Sequence, residues 1–73
     1  MKLSKDKYYT VEKYNGVTNQ LSDYGQMNGD DVKLVTRGYS QDTSDDFLDD
    51  NTKIFARKKS NSCYIVTEIK KDY

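Results

Sequence analysis

Histidine is absent from this 73-residue chain, proline is absent too, and cysteine occurs once. Without histidine the usual general base and the commonest nitrogen ligand for a metal are gone. A single cysteine cannot close an intramolecular disulfide or furnish a zinc site. No apolar run approaches the ~20 residues of a membrane span, and no apolar signal-peptide core follows Met1. Phosphate-binding glycine loops, nucleophile elbows and zinc signatures are also missing. These absences set the expectation of a soluble protein without cofactor or metal, not an enzyme and not a membrane partner.

Phe, Tyr, Met, Ile, Asn and Lys together number 29 residues, while Gly, Ala, Arg and Pro together number 7. Codons of the first group are A/T-rich, which suggests a low-G+C bacterium, its phage or its mobile elements, and a cytoplasmic place in the host cell.

What is present is small and amphipathic. Residues 1–73 are expected to form one domain, near the lower size limit for an independent core. A chain of this length buries only about 60% of its unfolded surface. Hydrophobic residues make up 34% of the chain, and seven of them are tyrosines, each with a hydroxyl that needs a partner when buried. Twelve basic residues balance twelve acidic ones, which argues against a general polyanion binder. The charge is nonetheless segregated: net +2 over residues 1–22, −6 over 23–50 and +4 over 51–73.

The most legible pattern runs from Lys53 to Lys70. It reads as a β-hairpin with a four-residue connection, Lys59 to Ser62, that sets Lys58 opposite Cys63 and Phe55 opposite Val66. One face then carries Ile54, Ala56, Cys63 and Ile65, which reads as core, Cys63 being a small hydrophobe. The other carries Phe55, Arg57, Tyr64 and Val66. A slip of one residue would exchange the faces.

Tyr8 to Tyr14, then Asn15-Gly16, then Val17 to Leu21 read as a first hairpin, since Asn-Gly tolerates the positive φ of a tight turn. Asp23 to Asp30 reads as a loop and Asp31 to Tyr39 as a further strand. One short helix is expected near residues 43–50, with Thr43 or Ser44 as its cap. That element order is shared by OB- and SH3-like folds, so the expected class is all-β: a small five-stranded barrel-like or curved antiparallel sheet. An α+β fold is the alternative.

Two constellations are candidate contact surfaces. Asp42, Asp45, Asp46, Asp49 and Asp50 form an acidic segment suited to a basic groove, or else a solvated cap. Calcium is disfavoured because the D-x-D-x-D-G spacing is absent. Arg37, Tyr39, Phe55, Arg57, Lys58, Lys59 and Tyr64 form an aromatic–basic set. Rings stack on bases while Lys and Arg track phosphates, and Tyr and Arg also anchor protein interfaces. The leading expectation is a small modulator or inhibitor of phage or mobile-element type. Its expected partner is a host protein, such as a nucleic-acid enzyme, met through the acidic segment. A single-stranded nucleic-acid module and an oligomerising accessory subunit are the alternatives.

Overall fold

A computed structural model describes residues 3–41, 51–57 and 59–69. Its elements are β1 (Tyr8–Asn15), β2 (Gln20–Asn28), α1 (Gly29–Val35), β3 (Ser40–Gln41), β4 (Thr52–Ala56) and β5 (Ser62–Glu68). The five strands form one antiparallel sheet in the order β2-β1-β5-β4-β3. Among the described residues the sheet is open, with β2 and β3 at its edges, so the barrel expectation gives way to a mostly antiparallel sheet carrying one short helix.

That order explains which face is covered. β2 and β3 are consecutive strands at opposite edges, so the chain between them must cross the sheet over one side. The crossing segment supplies the lid of the core. Val32 is fully buried, Thr36 is buried beside it, and Val35 and Tyr39 pack against the same cluster. Beneath them lie Tyr9, Val11, Phe55, Tyr64 and Val66, with Leu3 and Met27 at the margin. Full burial of a valine or phenylalanine side chain stabilises by about 1.5–3 kcal/mol. Ile54, Ala56, Cys63 and Ile65, expected as core, are only half-buried on the opposite face.

The first hairpin forms, but not on the expected Asn15-Gly16 turn: Asn15 ends β1 and pairs with Gln20, residues 16–19 make the turn, and positive φ falls on Asn19. β2 then runs on through the segment read as a loop. Thr10 pairs with Gln26 and Glu12 with Asp23, which leaves Tyr24 and Gly25 together opposite Val11. This β-bulge absorbs Gly25 at φ 79°, and the Asp23 carboxylate accepts its N–H at 2.7 Å. Pairing with β1 thus overrides the local loop signal.

Residues 31–35 are helical, which corrects the expected strand. The Asn28 side chain caps α1 by accepting the Asp31 N–H at 2.9 Å, and Asp30 and Asp31 occupy the first turn, where negative charge is favoured. Val32 and Val35 recur at helical spacing and face the sheet, while Leu34 is exposed. Gly29 permits the helix to start hard against Ser4, whose carbonyl accepts the Gly29 N–H at 3.0 Å. A Cβ on Gly29 would collide with the Ser4 backbone. Ser4 also donates its N–H to the buried Tyr9 hydroxyl at 3.0 Å, which gives that phenol the partner it needs. The helix expected near residues 43–50 lies outside the described residues.

The closing hairpin keeps its faces but not its register. Ala56 pairs with Cys63, Phe55 with Tyr64 and Ile54 with Ile65, two positions from the expected pairing. The connection is longer because Ser60 N–H turns back to the Arg57 carbonyl at 3.1 Å, and Asn61 accepts the Gly16 N–H at 2.7 Å. An even slip preserves which residues share a side.

Candidate functional site

The register places a row of side chains across the covered face at the end beyond α1. Phe55 of β4, Tyr64 of β5, Lys13 of β1 and Ser22 of β2 are direct cross-strand neighbours. Tyr64 is the centre of this row and is 7% exposed. The Tyr39 ring meets it edge-on with centroids 4.9 Å apart, and Tyr24 meets it edge-on at 5.9 Å. Such perpendicular pairs set the positive edge of one ring against the negative face of another. Lys13 Nζ lies 5.5 Å from the Tyr64 centroid, a cation–π contact.

Each aromatic ring arrives by a different route. Tyr64 is fixed in the middle of the sheet. Tyr24 stands on the edge strand at the bulge and is 44% exposed. Tyr39 ends the crossing segment, directly before β3, where Ser40 pairs with Ala56, the residue before Arg57. Its hydroxyl lies 3.1 Å from Ser62 Oγ and 3.4 Å from Ser60 Oγ, and those two oxygens are 2.8 Å apart. Ser60 Oγ further accepts the Ser62 N–H at 3.1 Å. Hydrogen bonds to Ser60 and Ser62 lower the Tyr39 pKa from its ordinary value, and the positive charges of Lys13 and Arg57 add to that lowering.

The sites expected from the sequence are distributed unevenly. Tyr39 and Tyr64 come together and Arg57 joins them. Arg37 and Lys59 are exposed, on the turn after α1 and on the connection between β4 and β5. Phe55 is 8% exposed, so neither its ring nor that of Tyr64 offers a free face for stacking. Lys58 and the acidic residues Asp42, Asp45, Asp46, Asp49 and Asp50 lie outside the described residues.

Lys13 and Tyr24 escaped the sequence reading. Both belong to the first hairpin, and only the adjacency of β1 to β5 brings them to Tyr64. Alternation along β1 could have placed Lys13 on the side of Tyr9 and Val11, but nothing local identifies β5 as its neighbour.

Among the described residues, no group of three or more His, Cys, Asp or Glu is arranged to hold a metal ion. No helix among them is long and apolar enough to cross a membrane. Comparison with protein-family models, with curated proteins and with solved structures finds no match for this chain. The class defined by the described residues is an open five-stranded antiparallel sheet crossed by one short helix, and the chemistry of its surface carries the functional reading.

Proposed function

We propose that this chain is a non-enzymatic protein-binding module whose contact surface includes the patch formed by Lys13, Tyr24, Tyr39 and Arg57. The observation that carries the reading is the pair of tyrosines, exposed Tyr24 and half-buried Tyr39, buttressed edge-on by buried Tyr64. Rigid aromatic groups on a packed base, beside Lys and Arg, are the usual energetic anchors of protein interfaces. They lose little side-chain entropy on binding because the sheet already holds them.

A role as a modulator of a host protein, of phage or mobile-element type, extends this reading on the strength of the A/T-biased alphabet and the small size. The acidic segment from Asp42 to Asp50 is a second candidate surface and asks for a basic partner, such as a nucleic-acid enzyme. Single-stranded nucleic acid is the less favoured ligand of the patch, because a stacking platform needs successive free ring faces and the neighbouring Phe55 and Tyr64 rings are buried.

The test is affinity capture from a low-G+C bacterial lysate with the wild type, Tyr24→Ala and Asp45→Lys/Asp49→Lys. Loss of a captured protein with Tyr24→Ala alone supports the patch, and loss with the double variant alone moves the contact to the acidic segment. Capture unchanged by either refutes both surfaces.

A further inference from the structure

We infer that the patch recognises an acidic polypeptide segment, with a carboxylate seated over Tyr39 between Lys13 and Arg57. The inference rests on the protein-binding reading and names the chemistry of the partner. Lys13 Nζ stands over Tyr64, whose ring touches that of Tyr39. Arg57 directly follows Ala56, whose partner Ser40 directly follows Tyr39. Two cations therefore flank one phenol on the same face of the sheet. Of the acidic residues on these strands, Glu12 and Asp23 alternate to the opposite face, and Glu68, which shares this face opposite Tyr9, is ion-paired with Lys7 at 3.1 Å.

The hydroxyls complete the donor set. Tyr39, Ser60 and Ser62 form a closed triangle of oxygens with separations of 2.8–3.4 Å. Each hydroxyl has one hydrogen and can rotate it outward to a new acceptor. A carboxylate offers only acceptors, and its hydrogen bonds to such donors are strengthened by its charge. Tyr24, on the edge strand, supplies an apolar wall for the side chain next to that carboxylate. Exposed Arg37 and Lys59 extend the positive field around the patch and favour encounter with acidic sequence.

The experiment is a fluorescence-anisotropy titration of the full chain against three labelled probes: a Glu/Tyr peptide, a Gln/Tyr peptide of equal length, and oligothymidylate. The Glu/Tyr peptide is expected to bind tightest and to weaken with added salt. Arg57→Glu, at an exposed position, and Lys13→Gln are each expected to weaken it by about tenfold, with circular dichroism confirming the fold. Equal affinity for the Gln/Tyr peptide, or tighter binding of oligothymidylate, overturns the inference. So does concentration-dependent self-association abolished by Arg57→Glu, because the acidic segment on the patch would then belong to a second copy of this chain and not to a partner protein. Lysate capture that is lost with Tyr24→Ala but retained with Arg57→Glu and Lys13→Gln overturns the acidic partner while leaving the protein-binding reading intact.

Discussion

Tyr39 meets Tyr64 edge-on, with ring centroids 4.9 Å apart and planes at 79°. This contact joins the end of the crossing segment to the middle of the sheet. It therefore closes one side of the core and props up the surface patch. Its polar end is anchored as well, since the Tyr39 hydroxyl bridges Ser60 and Ser62.

Tyr39→Phe keeps the ring contact and removes the bridge. Loss of a partly exposed hydroxyl network is expected to cost about 0.5–1.5 kcal/mol in urea unfolding. Tyr39→Ala forfeits the aromatic pair in addition and should cost more.

The same phenol gives a pH dependence of defined sign. The Tyr39 pKa is lowered in the folded chain, so its contribution is fully present above the ordinary tyrosine value and fades as pH falls through the folded one. Lys7 works oppositely. Its ion pair with Glu68, at 3.1 Å, raises the Lys7 pKa. That contribution is present below the ordinary lysine value and is lost as pH rises through the folded one. Absorbance titration of tyrosinate should show one group ionising early in the wild type and not in Tyr39→Phe. Glu68→Gln should remove the alkaline loss contributed by Lys7.

The covered face predicts an asymmetry between neighbours on one strand. Phe55→Ala should cost about 3–5 kcal/mol, a large part of the 5–15 kcal/mol that holds a typical domain together. Ile54→Ala, on the half-buried face, should cost clearly less. Equal losses in chemical denaturation would mean that both faces are core.

This asymmetry marks where the sequence stopped being legible. Alternation along β4 and β5 sorted Phe55, Tyr64 and Val66 from Ile54, Cys63 and Ile65 correctly, because side-chain period is a local property. It could not say which set is covered. That depends on the β2-to-β3 crossing, a property of strand order. The more aliphatic set drew the core assignment, and the chain crosses over the other. Residues 31–35 were misread for a related reason: Asp31 to Tyr39 alternates tolerably as a strand, and its helical state is decided by the Asn28 cap and by burial of Val32. Within the candidate site, Tyr39, Arg57 and Tyr64 could be named from the sequence, whereas Lys13 and Tyr24 depend on the β1–β5 adjacency.

Gly29→Ala tests the start of the helix. Alanine is the better helix former by about 1 kcal/mol, yet its Cβ would collide with the Ser4 backbone. Displacing that segment also disturbs the Ser4 N–H bond to Tyr9. A net loss of about 1–3 kcal/mol is expected, read as a lower thermal midpoint. A gain in stability would mean that residues 3–7 do not pack against α1 in solution.

The central claim is that the Tyr24 side of the sheet is the surface that meets a protein. A photo-crosslinking residue placed at position 24, with a matched probe at exposed Leu34 on α1, tests it most directly in host lysate. The account predicts a discrete protein adduct from position 24 and none from position 34. Nucleic-acid adducts from position 24, or the same protein adducts from both positions, would contradict it.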